Sequence, residues 1–159
     1  MTLKTIFLDR DGVINKEVKY LFKIADFKFI EGIFDACINF QNLDYKIIII
    51  SNQSGIARGY YNENEYQRLT DWMLDQFNKK GISILDVLYC PHSPESKCNC
   101  RKPKPGMLIE AKYKYNISMD DSWMIGDKET DIEAANLAGI TNTILVRSGH
   151  LINEAGSNS

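Results

Sequence analysis

The sequence predicts an α/β fold, a doubly wound, Rossmann-like parallel sheet with helices on both faces. Three observations predict it. Short apolar runs alternate with stretches of helical periodicity along the chain. The run Tyr45 to Ile50 is rich in β-branched residues, as suits a strand covered on both faces. Polar clusters also fall directly after apolar runs, where a parallel sheet gathers its strand ends along one ligand-binding edge.

Lys4 to Leu8 is the first predicted strand, and Ile30 to Phe40 a helix with Ile33, Cys37 and Phe40 on one face. Tyr45 to Ile50 is the second strand. Asn62 caps the next helix, with Glu65 three residues on to complete a capping box. Tyr66, Leu69, Met73 and Phe77 recur at helical spacing, and Gly81 stops that helix. Asp86 to Tyr89 is a third strand, and Pro105 opens a helix at its first position. Ser122 to Ile125 is a fourth strand, Asp131 to Ala138 a helix ended by Gly139, and Thr143 to Val146 a fifth strand. The polar tail from Ser148 is expected to fray. With no repeat, low-complexity block or long linker, residues 1–159 are expected to form a single domain.

Bulk properties narrow the function. A net charge of −2 argues against nucleic acid as a general partner. No apolar run approaches membrane-spanning length, and Thr5-Ile6-Phe7-Leu8 reads as a core strand rather than part of a leader. A cytoplasmic monomer with no membrane partner is the expectation. Three of the four cysteines crowd at 90, 98 and 100, a layout that suits a reducing compartment better than a disulfide framework.

Asp9 and Asp11 follow the first strand, and Asp127 follows the fourth. One carboxylate able to attack phosphorus, beside another able to move a proton, equips a site for phosphoryl transfer through an aspartyl-phosphate. A lone Asp after a strand usually caps a turn. Three at converging strand ends concentrate charge that a hard cation such as Mg²⁺ would relieve. Ser51-Asn52-Gln53-Ser54-Gly55 follows the second strand and offers a phosphate several donors, although such strings are also ordinary turns. Lys97, Arg101, Lys102 and Lys104 form a basic segment stiffened by Pro103 and Pro105, suited to phosphate contact. Cys90, His92, Cys98 and Cys100 supply four soft ligands within eleven residues, a closed structural Zn²⁺ site that would clamp Arg101 and Lys102 toward the sheet edge. Cys37, Trp72 and Trp123 read as packing residues and His150 as a tail residue.

Asp9-Arg10-Asp11-Gly12, then Ser51, then Lys102, then Gly126-Asp127 with Asp131, resemble the four motifs of the haloacid dehalogenase superfamily of phosphatases, from Leu3 to about Val146. Ser51 to Tyr60, the zinc cluster and Cys100 to Met107 resemble, more narrowly, its heptose bisphosphate phosphatases, which serve bacterial surface polysaccharide (lipopolysaccharide) synthesis.

The resemblance implies Asp9 as nucleophile and Asp11 as acid and base. It implies Mg²⁺ held by Asp9, the carbonyl of Asp11 and Asp127, with Asp131 supporting that end of the site. Ser51 and Lys102 would bind the transferring phosphoryl group. Glu17, Lys19, Tyr20, Asn52, Gln53, Ser54, Arg101 and Lys128 would contact the rest of a sugar phosphate substrate. No interval is long enough for a large cap domain. The five residues between His92 and Cys98 are similar to the histidinol-phosphate phosphatases, which remain an alternative. An inactive zinc-stabilised binding module is the alternative of another class, against which the full set of acids speaks.

Overall fold

The structure, a computed structural model, describes residues 1–147. The tail expectation, His150 and the end of the chain lie outside the described residues. Five strands, β1 (Thr5–Leu8), β2 (Lys46–Asn52), β3 (Asp86–Cys90), β4 (Trp123–Gly126) and β5 (Asn142–Leu145), form one sheet in the order β3-β2-β1-β4-β5. All four pairings are parallel, in register through Phe7↔Ile48, Phe7↔Met124, Ile50↔Leu88 and Ile125↔Ile144.

Side-chain alternation sorts the core into two layers. Ile6, Leu8, Ile47 and Ile49 face a cluster containing Cys37 of α1 (Ile33–Asn42) and Leu69, Met73 and Phe77 of α2 (Glu63–Lys79). Phe7, Ile48 and Ile50 face the other way, against Met107, Leu108 and Ala111 of α3 (Gly106–Tyr115) and Ala134 and Ala135 of α4 (Glu129–Leu137). This is why β1 and β2 read as unbroken apolar runs. The chain winds from β1 to β2 and β3, then returns to lay β4 on the other side of β1. The switch point therefore falls between β1 and β4, where such sheets open a crevice at their carboxyl ends.

The predicted elements are all present with shifted edges. The α2 capping box forms as expected: Asn62 Oδ1 accepts from the Glu65 amide at 2.8 Å, and Glu65 Oε1 from the Asn62 amide at 3.0 Å. Helix α1 begins at Ile33 rather than Ile30, because the Ile30 amide bonds the Ile14 carbonyl at 2.8 Å and holds that stretch extended. Strand β2 runs two residues past Ile50, since Ser51 and Asn52 pair with Tyr89 and Cys90. Helix α4 starts two residues before Asp131, and Pro105 is the N-cap of α3 rather than its first residue. Short 3-10 turns at Ile24–Asp26 and Met119–Asp121 carried no periodic signal. Trp72 packs edge-on against Phe27, and Cys37 is fully buried, its thiol pushed up to about 12 by that burial. Among the described residues no cap domain interrupts the sheet, and no helix is long and apolar enough to cross a membrane.

Candidate active site

The crevice at the switch point is a cleft of about 380 Å³. Its floor is charged and buried. Asp9 follows β1 directly and is 7% exposed; Oδ1 accepts the Arg10 amide at 2.9 Å and the Lys102 ammonium at 2.9 Å. Lys102 Nζ also pairs with Asp131 Oδ1 at 2.5 Å. Asp131 is the third residue of α4, and its Oδ2 accepts the amides of Asp127 and Lys128 at 3.1 and 3.2 Å. A carboxylate there satisfies helix-end donors and meets the positive end of the helix dipole.

Burial raises the Asp9 carboxyl well above the ordinary carboxylate range against the pull of Lys102, with Asp131 and Asp127 pushing the same way as burial. Burial alone would lower the Lys102 ammonium, but Asp9 and Asp131 overcome it and raise it. Carboxylate oxygens of Asp9, Asp127 and Asp131 lie within 4.8 Å of one another, a hard-oxygen cluster that fits a divalent cation such as Mg²⁺. Gly12 makes room for it: at φ +89, a Cβ there would overlap Asp127 Oδ2.

The third carboxylate of this cluster is thus Asp131, expected only to support it, while the Asp11 carboxylate turns aside. Asp11 Oδ1 accepts Arg10 Nε and Nη2 at 3.1 and 3.0 Å and Asn15 Nδ2 at 3.0 Å. Its Oδ2 accepts Gln53 Nε2 at 3.2 Å. Burial alone would lower the Arg10 guanidinium, and Asp11 beside it more than offsets this, so Arg10 is raised. Asp11 still lines the cleft beside Asp9.

Ser51, at the end of β2, is 1% exposed and accepts Gln53 Nε2 at 2.5 Å. The neighbouring amide binds protein: Asn52 Oδ1 accepts the Lys102 amide at 3.0 Å, and Asn52 Nδ2 donates to the Lys102 carbonyl at 3.2 Å. The tip of β2 therefore holds the backbone of the lysine whose ammonium sits on Asp9. Ser54 and Arg101 reach the cleft wall.

The rim is built from the loop after β1. Glu17, Lys19 and Tyr20 line the cleft, and Lys128 pairs with Glu17 across it at 3.3 Å. Tyr20 stacks on Tyr60 with ring centroids 4.1 Å apart. It holds φ 55, a left-handed conformation that a glycine would adopt without cost. Asn15, Tyr61 and Thr130 belong to the site or its walls and carried no motif signal, and Arg10 stood inside the first motif without a role of its own; Gly55, against which Tyr61 packs, was a local hint.

Beside the cleft, ligand atoms of Cys90, His92, Cys98 and Cys100 lie within 4.8 Å of one another. The sulfurs of Cys90 and Cys98 are 3.7 Å apart. Two thiolates at about 2.3 Å from one tetrahedral zinc would sit about 3.8 Å apart, so the spacing fits that ion and not a disulfide. Although desolvation opposes it, the Arg101 amide and Ser96 hydroxyl lower the Cys98 thiol to about 6. Cys90, more deeply buried, is raised.

The fold is that of the HAD-like hydrolases: a family model described as "HAD-hyrolase-like" matches residues 99–156. The D-glycero-alpha-D-manno-heptose-1,7-bisphosphate 7-phosphatase of Photorhabdus laumondii is 48% identical over 99% of this chain and 90% of its own. The corresponding beta enzyme of Vibrio cholerae is 44% identical, covering 98% of this chain and 88% of its own. Among solved structures, D,D-heptose 1.7-bisphosphate phosphatase from B. bronchiseptica, complexed with magnesium and phosphate, superposes with a TM-score of 0.86 at 31% identity, covering 92% of this chain and 82% of that one. The chain belongs to the family of the D-glycero-D-manno-heptose-1,7-bisphosphate 7-phosphatases.

Proposed function

We propose that this chain removes the 7-phosphate of D-glycero-D-manno-heptose 1,7-bisphosphate through an aspartyl-phosphate, supplying a sugar monophosphate for bacterial surface polysaccharide in the cytoplasm. The observation that carries the reading is the buried Asp9–Lys102–Asp131 trio on the cleft floor, with Asp11 two residues from Asp9. Lys102 and the Arg10 amide fix the Asp9 carboxylate so that it attacks phosphorus in line. As the P–O7 bond breaks, Asp11 gives its proton to the departing alkoxide. Asp11 then takes a proton from water, whose oxygen attacks the acyl phosphate; inorganic phosphate leaves and the Asp9 carboxylate is regenerated. Ser51 and Lys102 bind the phosphoryl oxygens and stabilise their charge. Mg²⁺ held by Asp9, Asp127 and the backbone of Asp11, with Asp131 behind them, would neutralise charge on the transferring group. Zn²⁺ on Cys90, His92, Cys98 and Cys100 would brace the loop leading into Arg101 and Lys102.

Sugar contacts fall to Glu17, Lys19, Tyr20, Ser54, Arg101 and Lys128 on the wall and rim. Phosphate release with Mg²⁺ from both anomers of the bisphosphate and from histidinol phosphate tests the reading. Turnover of either anomer well above histidinol phosphate, lost in Asp9→Asn, is the expected result. Preference for histidinol phosphate would reassign the substrate, and release from none of them would favour a binding module.

A further inference from the structure

Gln53 is 3% exposed, and both ends of its amide are engaged inside the protein. Nε2 donates to Ser51 Oγ at 2.5 Å and to Asp11 Oδ2 at 3.2 Å. Oε1 accepts the hydroxyl of Tyr61. Turning a primary amide over exchanges an acceptor and a donor at almost no change in shape. In the flipped orientation Oε1 would face a carboxylate, two acceptors against each other. The Tyr61 hydroxyl supplies the proton that holds Oε1 on its own side.

The ring that carries this hydroxyl is itself tightly placed. It is 5% exposed and stacks on Phe22 with centroids 5.6 Å apart. Residue 55 has to be glycine for the ring to sit there, since a Cβ would overlap Tyr61 Cε1 and lie 3.0 Å from its hydroxyl oxygen. Burial raises the Tyr61 phenol, which keeps it a neutral donor at working pH. The hydrogen bond of Tyr61 toward the reacting groups thus runs through Gln53.

We propose that Tyr61, acting through Gln53, is a positioning residue that holds Asp11 and Ser51 in register for phosphoryl transfer. The proposal rests on the phosphatase reading above. It gives Gln53 an inward task in place of a contact to the sugar. Phenylalanine at 61 keeps the ring and its packing but orphans Oε1, a buried acceptor, and frees the amide to tilt or flip.

The test is a double-mutant cycle of Tyr61→Phe and Gln53→Ala, with kcat and KM measured on heptose 1,7-bisphosphate and on p-nitrophenyl phosphate, which has no sugar. Tyr61→Phe should lower kcat about tenfold or more on both substrates, with KM changed less than about threefold and Tm lowered only by the few degrees that one orphaned buried acceptor costs, as expected for general acid–base groups out of register. Added to Gln53→Ala it should cost little further, because its hydrogen bond toward the site runs through that amide. Gly55→Ala, which displaces the ring, should reproduce the loss of kcat at a further cost in Tm. A kcat within twofold of wild type in Tyr61→Phe, losses that multiply in the double variant, or a loss confined to KM on the sugar would overturn the proposal. The wild-type rates judge the phosphatase reading separately: a wild type inactive on the sugar but active on the aryl phosphate leaves the cycle readable, and one inactive on both removes reading and proposal together.

Discussion

The floor and the rim of the cleft are built on different physics. On the floor, Asp9, Lys102, Asp127 and Asp131 are each less than 8% exposed; strand ends or a helix start fix the aspartates, and two hydrogen bonds from Asn52 hold the Lys102 backbone. At the rim, the Lys128–Glu17 pair has side chains 56% and 29% exposed, and Tyr20 leans on an exposed Tyr60. A buried ion pair is strong when intact and costly to break, because the remaining partner is left charged without solvent. An exposed pair is screened and worth roughly 0–1 kcal/mol. The floor therefore suits chemistry that must not shift, and the rim suits recognition that can be retuned without unfolding the molecule.

Substitutions on the floor should show the largest effects. Asp9→Asn keeps the volume but removes the proposed nucleophile, so kcat should fall by about 10⁴ or more with little change in substrate Kd by calorimetry. Lys102→Met breaks both the Asp9 and Asp131 pairs. It should lower kcat roughly a hundred- to a thousandfold and stability by about 3–5 kcal/mol in urea unfolding, since two buried carboxylates lose their cation.

Stripping the cluster of Cys90, His92, Cys98 and Cys100 with a chelator probes the boundary between the regions. Tm should drop and zinc should appear in solution, yet activity should fall only about ten- to a hundredfold. Asn52 independently holds the Lys102 backbone by two hydrogen bonds, which keeps the loss partial. A complete loss on chelation, restored by added zinc, would place Lys102 under the control of the metal loop instead.

Rim changes come last. Tyr60→Ala removes the ring that supports Tyr20 and should raise KM about three- to tenfold through a loss of about 0.5–1.5 kcal/mol of stacking, with kcat nearly constant. Glu17→Gln, which weakens the pair to Lys128, should change KM by less than about threefold, and the difference should shrink in high salt. A rim variant that lowers kcat as much as Lys102→Met would erase the division between the two regions.

The floor was legible in the sequence because topology and motif coincide there. An acid after β1, a hydroxyl at the end of β2 and an acid after β4 must share an edge once the sheet is parallel. The cluster of Cys90, His92, Cys98 and Cys100 was legible from spacing alone. The direction of the Asp11 carboxylate was not. A period-two reading puts it beside Asp9, whereas the turn after β1 delivers it to Arg10, a residue whose burial no local pattern signals. The inward amides of Asn52 and Gln53 were equally hidden, since one donor string serves a phosphate or a neighbouring loop. Only tertiary contacts, with Lys102 in one case and Asp11 and Tyr61 in the other, decide between them. Tyr20 was a further gap: without a glycine at or beside position 20 nothing announced a left-handed residue, and its stack on Tyr60 is visible only in the fold.

The claim at the centre of this account is that phosphate passes through Asp9. Heptose bisphosphate labelled at its 7-phosphate, mixed with excess enzyme and quenched in acid within milliseconds, tests it directly. The account predicts transient label on the protein, mapped to the peptide containing Asp9, decaying as free phosphate appears and absent from Asp9→Asn. Full turnover with no labelled protein at any time, or label on a peptide without Asp9, would contradict it.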